Sequence, residues 1–217
     1  LIFPYSDSTF ELNSKDQFGM TAFMWACFDG HTDVVQLLLD NSNQGLELNA
    51  RDKNGGSGFS YACSNGHKDV VKILLDHADI DLNASQCGST ALMLACRNGH
   101  KDVVKMLLLN PNIELNARAT LGQTAFMWAC LRGHKDVVEI LLDHNDRLDF
   151  VKHTDLYIDL NARNNEGETA YALACFNKRK EVVQVLLEHS KTKYIDTKIP
   201  EISSFSALSK RLNERCF

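Results

Sequence analysis

Two thirteen-residue stretches combine residue types that could form a reactive site. GMTAFMWACFDGH runs from Gly19 to His31, and it returns with three differences as GQTAFMWACLRGH from Gly122 to His134. Each copy holds a cysteine, a histidine, a methionine and a tryptophan. A thiolate can act as a nucleophile or a metal ligand, and an imidazole can act as a base or a metal ligand. The alternatives are a reactive site used twice and a packing unit built twice.

The two stretches belong to a longer repeat. Its glycines are spaced at intervals of 36, 33 and 34 residues, at Gly30, Gly66, Gly99 and Gly133. A Leu-Asn step keeps the same register, with its asparagines at Asn13, Asn49, Asn83, Asn116 and Asn161. In a fifth copy, Lys178 and Arg179 stand where Gly-His belongs. A period of this length indicates supersecondary units that bury their apolar faces only by stacking on one another.

Each copy predicts a turn followed by two helices. A polar turn precedes a hydroxyl residue placed to cap the first helix, and these residues are Thr21, Ser57, Thr90, Thr124 and Thr169. The first helix has about two turns and ends at the glycine. The second helix carries one apolar stripe, as at Val70, Val71 and Leu74.

The third copy, GSTALMLACRNGHKDVVKMLLL (88–109), resembles the ankyrin repeat, whose signature is roughly G-x-TPLHxAA-x-x-GH-x-x-VV-x-LL. The resemblance implies an all-α solenoid of stacked helix-turn-helix units with β-turn tips. We expect an N-terminal extension that ends in the first turn, five repeats, and a C-terminal capping helix. Their approximate ranges are 1–13, then 14–49, 50–83, 84–116, 117–161 and 162–194, then 195–217. Residues 145–155 are an insertion that must lengthen a helix end or form a projecting loop.

The cysteine and histidine patterns favour packing over chemistry. Five cysteines occupy one repeat position that calls for a small residue, at Cys27, Cys63, Cys96, Cys130 and Cys175. The histidines of the Gly-His step also recur once per repeat, whereas a structural zinc site needs four ligands converging on one ion. We therefore predict no metal, no cofactor and no catalytic residue, because no triad, phosphate loop or HExxH motif is present either.

The composition limits the classes of partner that this chain is expected to bind. The formal net charge of -5 gives no general attraction for nucleic acid or for an anionic membrane, and no apolar run is long enough to cross one. Seven cysteines, an odd number without a CxxC pair, are typical of reduced thiols, so we expect an intracellular, cytoplasmic protein. We also expect a monomer. The opening LIFPYSDS has neither an initiator Met nor a signal layout, and we expect a trimmed segment.

The resemblance also implies where a partner would bind. In ankyrin repeats, the turn tips and the solvent side of the first helix form a concave groove. Carried over to this sequence, the predicted partner-binding residues are Phe18, Met20, Phe28, Asp29, Arg97, Leu121, Leu131, Arg132 and Phe176. The six apolar residues of this set are expected to be exposed, and we expect Phe28, Leu131, Arg132 and Phe176 to act as anchors.

The predicted function is therefore a non-catalytic scaffold that binds a protein or peptide partner through this groove. Two alternatives remain open at this point. The chain could be a regulatory or targeting module of a larger multidomain protein, possibly an enzyme. It could also be a structural element whose groove serves homo-oligomer contacts.

Overall fold

The computed structural model describes residues 12–42, 45–148, 156–191 and 195–198. These residues form ten α-helices and no β-strand, which confirms the predicted all-α class. In chain order the helices are α1 Ala22–Asp29, α2 Thr32–Asp40, α3 Gly58–Asn65, α4 Lys68–Leu75, α5 Ala91–Asn98, α6 Lys101–Leu108, α7 Ala125–Arg132, α8 Lys135–Arg147, α9 Ala170–Phe176 and α10 Lys180–Ser190. They form five consecutive pairs, each a short first helix and a second helix.

The residues that begin and end the first helices are those the sequence singles out. The Thr21 hydroxyl accepts a hydrogen bond from the Met24 amide, and the Ser57 hydroxyl accepts one from the Ser60 amide in a capping box. Gly30 ends α1 in the left-handed conformation (φ 77°), which glycine adopts without a Cβ clash. Helices of eight residues are marginal alone, so packing must stabilise them.

The described residues divide into two compact units. The first comprises those up to Ala95 together with Asp102–Ile113, and the second comprises Cys96–Lys101 together with those from Glu114 onward. In the first unit, α1 packs on α3 and α2 packs on α4. In the second unit, α7 packs on α9 and α8 packs on α10. Like helices therefore stack on like helices within each unit, as the predicted stacking of helix-turn-helix units requires.

The asparagine of the Leu-Asn step links one pair to the next. Asn13 Nδ2 donates to the Gly45 carbonyl at 2.7 Å, while the Glu47 amide donates to Asn13 Oδ1 at 2.9 Å. The same two-bond arrangement recurs at Asn49 and at Asn116. An asparagine side chain carries both a donor and an acceptor, so it can satisfy an amide and a carbonyl of the neighbouring loop at once. This explains why the step repeats in strict register.

The insertion in the fourth copy lengthens a helix. α8 continues to Arg147, and its buried Asn145 holds both backbone groups of Ile158 at 2.8 Å. Of the two options left open by the sequence, helix extension accounts for the beginning of the segment, and 149–155 lie outside the described residues. The predicted capping helix at 195–217 also lies outside them, apart from 195–198, as does most of the N-terminal extension.

Candidate functional site

The cysteine column is a packing feature. Cys27, Cys63, Cys96 and Cys130 are buried, and burial raises the pKa of each thiol well above its ordinary value. These thiols stay protonated, so they are poor nucleophiles and poor metal ligands. Among the described residues, no group of three or more His, Cys, Asp or Glu side chains is arranged to hold a metal ion.

The histidines of the Gly-His step connect neighbouring helix pairs. His67 Nε2 lies 2.8 Å from the Phe28 carbonyl, and His134 Nε2 lies 2.9 Å from the Arg97 carbonyl. Because a carbonyl only accepts, each ring must carry its proton on Nε2. Both rings pack against a glycine of the preceding pair. A Cβ added to Gly30 would lie 2.4 Å from His67 Nδ1, and one added to Gly99 would lie 2.6 Å from His134 Nδ1. Arg179 takes the same role in the fifth pair, and its Nε donates to the carbonyl two residues before the preceding glycine. The Gly-His step is thus an inter-repeat contact.

An aspartate at the start of a turn orients an aromatic ring on the following helix. Asp16 Oδ1 accepts from two amides of its own turn, while Oδ2 accepts from Trp25 Nε1 at 2.9 Å. Partial desolvation raises the pKa of Asp16, but these hydrogen bonds outweigh it and hold the pKa below its ordinary value. Asp52 repeats the arrangement, since its Oδ2 accepts from the Tyr61 hydroxyl at 2.6 Å. Both rings are therefore fixed before any partner binds.

The first unit carries what we call the exposed aromatic cluster, which comprises the exposed Phe18, Trp25 and Phe28 and the half-buried Tyr61. Phe18, Trp25 and Phe28 are 56%, 38% and 36% exposed. The Phe28 ring lies edge-on to Trp25 at 5.6 Å and to Tyr61 at 5.4 Å between centroids. These are favourable aromatic geometries. Large apolar rings held at the surface in this way usually mark an interaction site.

The second unit has a different arrangement at the corresponding positions. Trp128 corresponds in the repeat to Trp25, and its side chain is buried. The guanidinium carbon of Arg97 lies 5.1 Å from the centre of the Trp128 ring, and that of Arg132 lies 5.8 Å from it. Both distances are within the range of cation–π attraction. We call Arg97, Trp128 and Arg132 the arginine–tryptophan cluster.

The described structure places the nine predicted binding residues at different depths. Phe18, Phe28 and Asp29 are exposed, whereas Arg97, Leu121, Arg132 and Phe176 are half-buried. The expectation that Met20 and Leu131 are exposed is wrong, because both are buried. Only part of the predicted set therefore reaches the surface.

Both corrections have a packing reason. Met20 lies against Met24 and Ala50, with Tyr61 beside them, and so belongs to the core under the turn. Leu131 lies on α7, in which every residue before the last is buried and which packs on α9.

The comparisons with known proteins bear on the same segments. A family model described as "Ankyrin repeats (3 copies)" matches residues 2–84, 42–119 and 109–198. The chain belongs to the ankyrin-repeat family. No curated protein matches it.

Ankyrin repeats are generally protein–protein interaction modules, and their fold is typically non-catalytic. Within the part of the chain that the structure describes, no helix has the length and apolar character needed to cross a membrane.

The predicted binding residues do not include three aromatic residues of the two clusters. Trp25, Tyr61 and Trp128 occupy one repeat position, but Trp25 is exposed, whereas Trp128 is buried with two arginine side chains over its ring. A signal was available in the spacing. Trp25 precedes Phe28 by three residues, and residues three apart share one face of a helix.

Proposed function

We propose that this ankyrin-repeat chain is a non-catalytic module that binds a protein or peptide partner through the turn tips and first helices. The observation that supports this most directly is the exposed aromatic cluster. Its rings are large and apolar, and they carry few rotatable bonds, so they can bury much surface at little entropic cost. Aromatic side chains and arginine are also enriched among residues that dominate binding energy.

Preorganisation adds to the argument. Trp25 is held by Asp16 and by the edge of Phe28, and Phe28 is held in turn by Tyr61. A partner therefore meets rings that already have a defined orientation. Of the residues predicted from the sequence, Phe18 and Phe28 belong to this surface, and we retain both as binding residues and Phe28 as an anchor. We do not retain Met20 and Leu131, since both are buried.

The test is affinity capture with the double variant Trp25→Ala, Phe28→Ala as bait beside the unchanged chain. We expect a partner retained by the unchanged chain to be lost from the variant. Leu37→Ala is the matched control, because Leu37 is 62% exposed on a second helix, α2, outside the cluster. A partner that binds the double variant as well as the unchanged chain would overturn the proposal.

The alternatives from the sequence make different predictions. If the cluster were a homo-oligomer contact, light scattering at increasing concentration would give a molar mass above 24.4 kDa, and the double variant would abolish that increase. We expect a monomer at all concentrations. We also keep two predictions from the sequence: that the chain is a module of a larger protein, and that the protein is intracellular and cytoplasmic.

A further inference from the structure

The fourth helix pair lacks the turn carboxylate that the first two pairs share. Asp16 and Asp52 each accept two amides of their own turn, and Asn164 does the same in the fifth pair. In the fourth pair the residue at this position is Ala119, whose backbone makes the two turn bonds but whose side chain has no acceptor. The helix that follows this turn nevertheless keeps its tryptophan.

The Trp128 indole consequently lacks the side-chain hydrogen-bond acceptor that Asp16 provides for Trp25. Its Nε1 atom is buried and has no hydrogen-bond partner among the described residues. In the first pair the equivalent Nε1–H of Trp25 donates to Asp16 at 2.9 Å. A buried donor left unpaired destabilises the protein, because it has given up its hydrogen bond to water without replacing it. A ligand that brings an acceptor to this ring would recover part of that cost.

The charge around this indole is positive. The Arg97 and Arg132 guanidinium groups both lie over the Trp128 ring, at 5.1 and 5.8 Å. Within the described ranges no carboxylate forms an ion pair with Arg97, and the nearby Lys101 is already paired with Asp136 at 3.1 Å. A guanidinium group presents its donors in a planar fork that matches a carboxylate, it can stack on an aromatic face, and this fixed geometry reduces the conformational freedom lost per hydrogen bond.

We infer that the arginine–tryptophan cluster is a binding site for a carboxylate side chain in an acidic segment of the protein partner. The carboxylate pairs with the Arg97 and Arg132 guanidinium groups and accepts from the Trp128 indole, as Asp16 does for Trp25 within the first pair. This inference rests on the proposed function and adds the chemistry of the partner. It concerns the second unit, whereas the test of the proposed function concerns the aromatic cluster of the first.

An acidic peptide fits this site better than a nucleic acid does. The cluster offers two cations around one buried donor, which matches one carboxylate. Nucleic-acid surfaces instead present a wide basic patch, and this chain carries a formal net charge of -5. In the first unit, Phe28 lies between Trp25 and Tyr61, and among the described residues no cation–π contact to Trp25 is found like those to Trp128.

The experiment follows the two indole N–H resonances of the ¹⁵N-labelled chain during titration with a hexaglutamate peptide. The chain has two tryptophans, and Trp25→Phe assigns the two signals. We expect the Trp128 signal to shift in a saturable manner, while the Trp25 signal, already bonded to Asp16, stays in place. Hexaglutamine is the matched neutral probe and should have no effect.

Substitutions then test the assigned roles. Arg97→Gln and Arg132→Gln should each weaken hexaglutamate binding about tenfold, as expected for the loss of one charge-assisted hydrogen bond. Ala119→Asp should restore the internal acceptor, shift the Trp128 signal in the free protein and abolish binding. Ala119→Asn, which caps the turn as Asn164 does without adding charge, should leave binding nearly unchanged.

Three results would overturn the inference. The first is an equal shift from hexaglutamine or from inorganic phosphate, which would mean that the cluster does not select a peptide carboxylate. The second is unchanged binding by Ala119→Asp. The third is equal movement of both indole signals. Each of these would leave the proposed function standing if capture still depends on Trp25 and Phe28, so failures of the two proposals can be told apart.

Discussion

Replacing Gln123 with methionine should stabilise the protein. Gln123 precedes the capping Thr124 and is fully buried, yet neither its Oε1 nor its Nε2 has a hydrogen-bond partner among the described residues. The equivalent residue of the first pair is Met20, which packs against Met24 in the core. The chain thus contains its own apolar version of this position.

The magnitude follows from two opposing effects. A buried polar group without a partner costs about 1–3 kcal/mol, and methionine removes that cost. The two side chains are similar in length and volume, so the penalty for repacking should stay below about 1.5 kcal/mol. The backbone bond from the Ala119 amide to the Gln123 carbonyl does not depend on the side chain. We therefore expect Gln123→Met to raise the free energy of unfolding by about 1–2 kcal/mol.

Urea unfolding monitored by far-UV circular dichroism and tryptophan fluorescence measures this change. The midpoint should rise by about 0.5–1 M with the slope unchanged. The matched control is the reverse substitution, Met20→Gln, which should lower the stability by a similar amount because it buries an amide in the first pair. A lower midpoint for Gln123→Met would refute the reasoning, since it would mean that the amide is hydrogen-bonded in solution.

Two further predictions concern tight and buried positions. Gly58→Ala should lower the free energy of unfolding by about 1–2 kcal/mol in urea titrations, although alanine favours helices, because overpacking outweighs propensity. The added Cβ would lie 2.9 Å from Phe23 Cε1 and 3.0 Å from Cys27 Sγ, and an unchanged midpoint would contradict this. Glu168→Gln should stabilise the protein at neutral pH but not at acidic pH. Burial raises the pKa of Glu168 despite a bond from Asn164, so the native chain loses stability as pH rises above the ordinary value of 4.5. A stability difference that does not vary with pH would show that Glu168 is not responsible.

Much of the fold could be predicted from the sequence because its contacts repeat at a fixed offset. Asn13 bonds to a loop about 34 residues ahead, and His67 bonds to a carbonyl 39 residues behind. Each such residue contacts the corresponding part of the neighbouring repeat. Once the repeat period is known, the positions that contact each other between repeats can therefore be predicted from the sequence. The hydroxyl caps and the glycines act locally and could be predicted for the same reason.

The candidate sites were harder to predict because exposure depends on the neighbouring repeat. Phe28 and Leu131 occupy the same repeat position, yet Phe28 reaches the surface and Leu131 is buried. Trp25 and Trp128 also share one repeat position. Asp16 accepts a hydrogen bond from the Trp25 indole, whereas Ala119, at the position equivalent to Asp16, has no side-chain acceptor for the Trp128 indole. A pattern within one repeat cannot distinguish these cases.

The family, the helix-turn-helix register, the capping residues and the packing roles of the repeated cysteines and histidines could all be predicted from the amino-acid sequence. Short-range chemistry and the repeat period are enough for these features. Three-dimensional packing was needed to show that Trp25 and Phe28 form an exposed cluster, that Met20 and Leu131 are buried, and that two arginines lie over Trp128. Those outcomes depend on which side chains of adjacent repeats meet in space.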